Sequence, residues 1–423
     1  MLDLKLIRSD PERVKRALAR RGAVERVDEL LALDARRREL LPQIEGAQAE
    51  RKAISKRVGE AKQRGEGAEE EMRAVQALKE RIESGKAELE TVEADLERVA
   101  AALPNLPDPD APEGMTEEDA VVMREVGERP SFDFKPRDHL EIGGDLGLID
   151  MEAGARVSGS RFAYLKGDLV LLELALVRFA LELVRAEGHE PVVPPVLVRE
   201  EALYGTGFLP GDRDQIYEVP KDELFLVGTS EVPLAGLHAD QILDAAELPL
   251  RYAGFSTCFR REAGAAGRDT RGIFRVHQFD KVEMFSFVEP GESQAEHERL
   301  LAIEERILGE LEIPYRVVNV AAGDLGAPAA KKYDCEAWIP SQERYRELTS
   351  CSNTTDFQAR RLNCRYRPAD NQPAQPVHTL NGTAIAVGRT MIALIENRQD
   401  REGGFTLPNI LHTYGSPERI APL

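Results

Sequence analysis

Two segments of this chain bring together residue types suited to binding a phosphorylated ligand. The first is Phe259-Arg260-Arg261-Glu262, and the second runs from Phe274 to Glu283. We predict two antiparallel strands around a flexible loop, with Arg260, Phe279 and Glu283 directed toward one face. The guanidinium of arginine suits phosphate through its planar fork of donors, the phenyl ring offers a stacking surface, and the glutamate offers a charged acceptor.

Signatures of phosphate binding by the backbone are missing from the sequence. It contains neither a GxxxxGK[ST] loop nor a GxGxxG turn after a strand. A nucleotide bound by this chain would therefore be held mainly by side chains.

Composition indicates a soluble protein of more than one domain. The chain has 423 residues, 42% of them hydrophobic, and no apolar run long enough to span a membrane. Its opening residues lack the basic-then-apolar pattern of a signal peptide, so we expect a cytoplasmic protein. The four cysteines form no CxxC pair, which favours reduced structural thiols over a zinc site or disulfides.

The net charge of −19 argues at first against a nucleic-acid partner. Its distribution changes that conclusion, because residues 1–103 hold 22 Lys/Arg and 22 Asp/Glu and are neutral. Within them, one short stretch contains a single acid, Glu60, and six basic residues: Arg51, Lys52, Lys56, Arg57, Lys62 and Arg64. Such a stretch is either a solvated helix face or a contact to phosphates.

The N-terminal region has the pattern of a long helical hairpin. Its first arm places apolar residues at alternating three- and four-residue steps, with Arg37 and Arg51 at two positions of the seam: Leu33, Leu40, Ile44, Ala47, Ile54, Val58 and Ala61. The pattern resumes after Gly65-Glu66-Gly67: Val75, Leu78, Ile82, Gly85, Leu89, Val92, Leu96, Val99 and Leu103. Two seams of similar length around a glycine break predict an antiparallel coiled-coil arm over about residues 28–103, within an N-terminal domain of residues 1–103.

The rest of the chain predicts a linker followed by an α+β domain. Prolines between 104 and 112 end the second helix, and we expect a polar linker over residues 104–135. Beyond it, residues 136–423 contain an apolar helix at Gly167–Glu187 and strand signals near 224–227, 251–259, 273–288, 315–320 and 345–352. Runs of strands with few helices between them favour a mostly antiparallel sheet.

These motifs, in this order and spacing, resemble the seryl-tRNA synthetases of bacterial type, a family of class II aminoacyl-tRNA synthetases. The Phe259–Glu283 hairpin is similar to motif 2 of that class, and helix 168–187 with Gly188 and Pro195 is similar to motif 1. Asn381 to Arg389 is similar to motif 3. Further matching elements are Thr229-Ser230-Glu231, Glu347-Leu348-Thr349-Ser350, and the segments 4–8, 153–159 and 202–207. The chain lacks the HIGH and KMSKS sequences of the other synthetase class. The resemblance implies an antiparallel sheet of six or seven strands and a homodimer formed through motif 1.

The resemblance also implies a role for each residue of an ATP site. Arg260 would bind the α-phosphate, Arg389 the γ-phosphate, and Phe279 would stack on adenine. Glu262 and the backbone at Val276 would hold the adenine and ribose, and Glu347 and Ser350 would coordinate Mg²⁺. The catalytic residues it implies are Arg260, Glu262 and Arg389, and the remaining ATP contacts are Arg261, Arg275, Leu348 and Thr349.

A serine site is implied beside the ATP site. Glu231, with Thr229, would bind the α-ammonium group, and Glu283 and Thr383 would bind the side-chain hydroxyl. Ser230 and Asn381 complete the implied set. A site that pairs with a hydroxyl rejects alanine and glycine because its buried partners would be left without hydrogen bonds.

The implied function is activation of L-serine with ATP and transfer of the seryl group to the 3′ end of tRNA-Ser, and to tRNA-Sec where an organism has one. Lys56, Arg57 and Lys62 of the arm are then expected to contact tRNA phosphates. Two alternatives stay open at this point. One is a paralogue that supplies activated serine to a secondary-metabolite pathway, and the other is a catalytically inactive tRNA-binding homologue.

Overall fold

The protein is described from a computed structural model, which covers residues 1–264, 269, 271–369 and 372–422. The chain divides into two compact units, Leu2–Leu103 and Pro104–Leu423 together with Met1. Within the described residues, none of the helices combines the length and apolar character needed to cross a membrane.

The first unit is helical throughout. Its elements are α1 (Leu4–Ser9), α2 (Pro11–Ala19), α3 (Arg26–Gln63) and α4 (Glu69–Ala102). Helices α3 and α4 fold back on each other, as the glycine break predicts. On α3, Leu40 and Ile44 pack with Val92 of α4, and further along α3, Ala47 and Ile54 pack with Leu78 and Ile82. Residue numbers therefore rise along one helix as they fall along the other, which confirms the antiparallel arm.

Gly85 shows why the seam accepts a glycine in the middle of a long helix. A Cβ atom at this position would lie 3.1 Å from Cγ1 of Ile44. Close approach of the two backbones at this level leaves no room for a side chain without a shift of Ile44. Beside the seam, Arg37 of α3 reaches Glu93 of α4 at 2.8 Å, so the arginine at a seam position extends to the edge of the helix pair.

The second unit is built on a large sheet. Its helices are α5 (His139–Asp145), α6 (Met151–Ser158), α7 (Asp168–Ala186), α8 (Glu200–Thr206), α9 (Glu231–Gly236), α10 (Ser293–Glu310), α11 (Phe357–Arg361), α12 (Val387–Asn397) and α13 (Asn409–His412). Its strands are β1 (Val121–Val126), β2 (Ile149–Asp150), β3 (Tyr164–Leu165), β4 (Glu190–Val192), β5 (Leu197–Val198), β6 (Glu218–Val219), β7 (Leu224–Leu226), β8 (Ile242–Asp244), β9 (Leu250–Phe259), β10 (Gln278–Val288), β11 (Tyr315–Asn319), β12 (Lys331–Ile339), β13 (Arg344–Thr355), β14 (Arg365–Arg367), β15 (Gln375–Pro376), β16 (His378–Ala386), β17 (Phe405–Thr406) and β18 (Arg419–Ile420).

The main sheet has the order β1-β11-β12-β13-β16-β10-β9-β4. Every neighbouring pair is antiparallel except β4 and β9, which run parallel, so the α+β class with a mostly antiparallel sheet is confirmed. Within the described residues, seven strands of the sheet are antiparallel, which agrees with the expectation of six or seven, and β4 is added at one edge as a parallel strand.

Strand β1 corrects the expected linker. Val121–Val126 lies inside the proposed linker of residues 104–135, yet it pairs with β11 at the edge of the main sheet. All six of its residues are exposed, so the strand is held by backbone hydrogen bonds without a buried face. A strand of this kind has no alternation of apolar and polar residues, and the sequence pattern therefore cannot show it.

The core lies between the sheet and the helices that cover it. The apolar helix predicted at Gly167–Glu187 is α7, and five of its side chains are buried as expected: Leu169, Leu172, Leu176, Phe179 and Leu183. Helix α12 contributes a nearly continuous buried run from Thr390 to Asn397. The strand predicted near 273–288 begins only at Gln278, because Ile273 and Phe274 turn into the core ahead of it.

Candidate active site

A cavity of about 350 Å³ opens above the central strands β9, β10, β13 and β16. Most of the residues expected at the ATP and serine sites line it: Thr229, Glu231, Arg260, Glu262, Arg275, Val276, Phe279, Glu283, Glu347, Leu348, Thr349, Ser350, Asn381, Thr383 and Arg389. The structure thus brings into one cavity residues that lie up to 160 positions apart in the sequence.

Two of the expected residues do not line the cavity. Arg261 is exposed, and its backbone N–H donates to the carbonyl of Gln215 at 2.9 Å. Ser230 is fully buried, with its hydroxyl 2.7 Å from that of Ser256. Successive residues of an extended chain point to opposite sides, which accounts for Arg261 facing away from Arg260.

Two β-bulges bring residues with unusual spacing to the same side of the sheet. In β13, Glu347 pairs with Glu336 and Thr349 pairs with Cys335, so Leu348 is an extra residue. Residues three apart in a regular strand point to opposite faces, and the extra residue allows Glu347 and Ser350 both to line the cavity.

A second bulge lies in the neighbouring strand. Glu283 of β10 pairs with Thr383 of β16, whereas Val282 pairs with Ile385, which leaves Ala384 as the extra residue. The shift places Thr383 directly across from Glu283, and the Thr383 hydroxyl donates to the Glu283 carboxylate at 3.3 Å.

Arg260 lines the cavity. Its Nε donates to the carbonyl of Gly228 at 3.2 Å, and its guanidinium carbon is 5.3 Å from the ring centroid of Phe279. Glu262 has a φ of +50° and accepts from Arg275 at 2.5 Å. Among the described residues no carboxylate forms a salt bridge with Arg260, although its charge acts at longer range on Glu347 and Glu231.

Three cations surround the carboxylate of Glu347. Arg389 donates to the Glu347 carbonyl at 2.9 Å and lies 3.4 Å from Oε2, and Lys332 lies 3.9 Å from Oε1. Burial raises the pKa of the Glu347 carboxyl, but the charges of Lys332, Arg389 and Arg260 outweigh it and lower the pKa to about 2. Glu347 keeps 43% of its side-chain surface accessible from the cavity, and it is a carboxylate at any physiological pH.

At the same end of the cavity, Phe274 lies between two guanidinium groups. Their carbons are 3.9 Å (Arg346) and 4.8 Å (Arg389) from its ring centroid. Arg346 in turn is bound by both carboxylate oxygens of Asp269, at 2.9 and 2.7 Å. The Phe274 ring therefore makes a favourable cation–π contact with the guanidinium group of Arg389.

The opposite end of the cavity is lined by buried acids. Glu231 accepts from Asn381 at 2.9 Å and from Gln358 at 2.7 Å. Burial, reinforced by the neighbouring charge of Glu283, raises the pKa of the Glu231 carboxyl to about 7. Lys281 contacts the Glu283 carboxylate and donates to the Thr229 hydroxyl at 2.7 Å.

Three residues of the site were missed by sequence reasoning. Lys281 lies within motif 2 and could have been noticed, because it is the lysine two positions before Glu283 on the same side of the strand. Lys332 and Gln358 lie outside the matching motifs, and a basic residue in a strand or a glutamine in a short helix carries no signal of its own.

No preformed metal centre is evident in the described part of the chain. It contains no group of three or more histidine, cysteine, aspartate or glutamate side chains placed to hold an ion. The four cysteines, Cys258, Cys335, Cys351 and Cys364, are free and buried.

The six basic residues of the helical arm lie in the last turns of α3 and just beyond it. Arg51 is half-buried, and the other five, Lys52, Lys56, Arg57, Lys62 and Arg64, are exposed. Arg64 pairs with Glu66 at 3.0 Å, and Lys56 is 3.9 Å from Glu60. Exposed pairs of this kind add little to stability, so these side chains can change partners at small cost.

The antiparallel sheet and the cavity above it, with cationic residues at one end and buried acids at the other, fit the catalytic core of a class II tRNA synthetase. Residues 216–398 match the family model described as "tRNA synthetase class II core domain (G, H, P, S and T)". Residues 1–107 match the "Seryl-tRNA synthetase N-terminal domain". The chain belongs to the seryl-tRNA synthetase family.

Full-length relatives agree with this assignment. A serine–tRNA ligase from Acidothermus cellulolyticus is 51% identical over 423 residues, covering all of both proteins. The crystal structure of seryl-tRNA synthetase from Pyrococcus horikoshii complexed with ATP has a TM-score of 0.94 and 42% identity, with 100% of each chain covered. The serine–tRNA ligase of Naegleria fowleri in complex with AMP has a TM-score of 0.88 and 33% identity, covering 100% of this chain and 99% of that one.

Proposed function

We propose that this protein activates L-serine with ATP and transfers the seryl group to tRNA-Ser. The observation that carries the proposal is one cavity whose two ends have opposite character. Arg260, Arg389 and an ionised Glu347 lie at one end, and the buried pair of Glu231 and Glu283 lies at the other. The first end suits a metal-bound triphosphate, and the second suits a small amino acid with an ammonium and a hydroxyl group.

In the first reaction, an oxygen of the serine carboxylate attacks the α-phosphorus of ATP, and pyrophosphate leaves to give seryl-adenylate. We assign to Arg260 the neutralisation of the charge that develops on the α-phosphate, because it lines the cavity and its Nε donates to the Gly228 carbonyl, which leaves its charge unpaired by that bond. Arg389 holds the γ-phosphate, and Phe279 stacks on adenine. Transfers of this type need little covalent help from protein, so fixed positive charge and position supply most of the rate acceleration.

Mg²⁺ fits the residues at the phosphate end. Glu347 offers an ionised carboxylate and Ser350 a hydroxyl, both of them hard oxygen donors. One carboxylate is typical of a magnesium ion that takes its other ligands from water and nucleotide phosphates. When bound, the ion neutralises phosphate charge beyond what the arginines supply.

At the amino-acid end, Glu231 binds the α-ammonium group, and Glu283 with Thr383 binds the hydroxyl. The seryl group then passes to the 3′ end of tRNA-Ser, with release of AMP. The same reaction extends to tRNA-Sec where an organism has one, and the cytoplasm is the compartment we infer for it.

The deciding experiment is amino-acid-dependent exchange of pyrophosphate with ATP by the purified protein in the absence of tRNA. We expect exchange with serine and none with alanine or glycine, with threonine as the test of pocket size. Absence of exchange with all four amino acids would contradict the proposed function and identify an inactive or altered relative.

The pH dependence of serine binding follows from Glu231. Its pKa of about 7 means that the carboxyl is protonated below this pH in the free protein, and the proton must leave before an ammonium can bind. We therefore expect the KM for serine to rise up to about tenfold per unit as pH falls below 7 and to level off above it. The KM for ATP in the same exchange assay serves as the control and should change less, because Glu347 stays ionised. A serine KM that is flat between pH 6 and 8 would contradict this role.

The exposed basic residues in the last turns of α3 lead to a prediction about the strength and salt dependence of tRNA binding. We expect the variant Lys56→Ala/Arg57→Ala/Lys62→Ala to weaken tRNA-Ser binding and to reduce the slope of log K against log salt by about 2, since each lost phosphate contact lowers it by about 0.7–0.9. The matched control removes three exposed charges of α4 instead: Lys79, Arg81 and Lys86. Pyrophosphate exchange should be unchanged in both variants. Equal salt slopes for the wild type and the α3 variant would contradict the contact.

A homodimer through motif 1 accounts for an apolar surface on α7. The buried face of this helix packs on the sheet, yet Leu171 and Leu174, one turn apart on its other face, are 49% and 59% exposed. Apolar side chains grouped in this way are typical of an interface with another chain. A monomer at micromolar concentration in sedimentation experiments would contradict the dimer.

A further inference from the structure

The carboxylate of Glu231 is held unsymmetrically. Both of the amide groups that reach it, from Asn381 at 2.9 Å and from Gln358 at 2.7 Å, donate to the same oxygen, Oε1. Among the described residues, no donor lies on Oε2. Two bonds to one oxygen fix the rotation of the carboxylate and leave the other oxygen for a ligand in the cavity.

The side-chain amide of Gln358 is held in one orientation by its hydrogen bonds. It is completely buried, and every polar atom of its amide is used. Its Nε2 donates to Glu231 and to the carbonyl of Thr206 at 3.1 Å, while its Oε1 accepts from the hydroxyls of Thr379 at 2.9 Å and Thr354 at 3.3 Å. Rotating the amide by half a turn would place its oxygen against the Glu231 carboxylate and the Thr206 carbonyl, so the observed orientation is strongly preferred.

The segment 202–207, which the sequence singled out without a role, holds Gln358 in place. It forms α8, which packs against α11, the helix that carries Gln358. At Gly205 the contact is so close that a Cβ atom would lie 2.2 Å from a side-chain carbon of Leu362. The glycine therefore lets the Thr206 carbonyl approach the Gln358 amide.

We propose that Gln358 is a positioning residue for amino-acid binding: it turns Oε2 of Glu231 toward the cavity and stabilises the charged carboxylate that binds the substrate ammonium. The inference rests on the proposed function, since it concerns the same serine site. It assigns α8 and α11 to the recognition of the amino acid, although Gln358 is not among the residues that line the cavity.

The other charged groups that face Glu231 are Glu283, Lys281 and Arg260. Glu283 opposes ionisation of Glu231, and the two cations favour it. The Gln358 donor acts in the same direction as the cations, because a hydrogen bond to the ionised form stabilises that form. Its removal should therefore move the ionisation of Glu231 to higher pH as well as loosen the carboxylate.

The test is Gln358→Met, which keeps the length of the side chain and removes the amide. We expect the KM for serine in pyrophosphate exchange to rise about 10- to 100-fold at pH 7, the effect of losing a hydrogen bond to a charged group. The ratio of the serine KM of the variant to that of the wild type should decrease as pH rises from 6.5 to 8.5, while the KM for ATP stays unchanged. Gln399→Met is the matched control, because it removes the amide of another buried glutamine, one that is bound to backbone groups of Arg137 and Glu396 and does not line the cavity.

The same measurements can also contradict the role of Gln358. An unchanged serine KM, or a factor that is the same at every pH and accompanied by a similar rise in the KM for ATP, would overturn the proposal. If Gln358→Met does not fold, Gln358→Glu provides the second variant. It keeps the volume but places a second carboxyl against Glu231, and we expect a still larger, pH-dependent rise in serine KM. If only this inference is wrong, the wild-type protein still exchanges pyrophosphate with serine. If the proposed function is wrong, the wild-type protein shows no such exchange.

Discussion

Replacing Arg260 by alanine should slow serine-dependent pyrophosphate exchange by about 10²–10³-fold, the loss typical of removing one fixed donor from a site of developing negative charge. The side chain is held by the Gly228 carbonyl and by the face of Phe279, so its position is set before ATP binds. In the proposed reaction this guanidinium faces the α-phosphate, because among the described residues no carboxylate forms a salt bridge with it. We expect the loss mainly in kcat, since the interaction strengthens as pyrophosphate leaves.

Arg261→Ala is the matched control for this experiment. It removes the same side chain one position along, where the residue is exposed and directed away from the cavity. We expect this variant to stay within about twofold of the wild type, as surface substitutions usually do. Equal losses in the two variants would show that the effect comes from general damage to the hairpin and would contradict the role of Arg260.

Removing Glu283 should greatly reduce the preference for serine over alanine. A site built to hydrogen-bond a hydroxyl rejects the analogue without it by about 10⁴-fold, because buried polar groups lose their partners. In Glu283→Ala that penalty disappears. We expect kcat/KM for serine to fall by about 10³-fold, with alanine changed by less than about tenfold, so that discrimination drops to about tenfold.

The substitution can also destabilise the fold, because Glu283 is the carboxylate partner of buried Lys281. The experiment must therefore separate a loss of specificity from a loss of stability. A buried cation left alone is costly, so the double variant Lys281→Met/Glu283→Ala should recover thermal stability without recovering discrimination. The measurement is pyrophosphate exchange with serine and alanine, with the KM for ATP recorded for each variant. Retention of most of the serine preference in Glu283→Ala would place the hydroxyl partner elsewhere.

Much of this protein can be read from its sequence, because the signals concerned are local. Heptad spacing around a glycine break predicts the antiparallel arm, since one apolar seam needs a partner seam of similar length. The apolar run at 168–186 predicts α7, and the order of the matching motifs predicts the composition of the cavity. Chemistry that depends on residue type, such as the arginines and carboxylates of motifs 2 and 3, is visible in the same way.

Other features were decided only by the tertiary structure. The edge strand Val121–Val126 has no buried face, so its six residues carry no periodic pattern and were mistaken for a linker. The bulges at Leu348 and Ala384 set which side chains enter the cavity, and they arise from the register between strands that are distant in sequence.

Lys332 and Gln358 are two further residues whose part in the site could not be predicted from the sequence. Nothing in the neighbouring sequence marks either residue as functional. Lys332 joins the site through Glu347, more than ten positions away, and Gln358 joins it through Glu231, more than a hundred positions away. Sequence by itself determined which chemical groups the protein has and the elements that carry them. Which groups meet, and which oxygen of a carboxylate is left for a substrate, depends on packing between distant segments, because only packing fixes their distances.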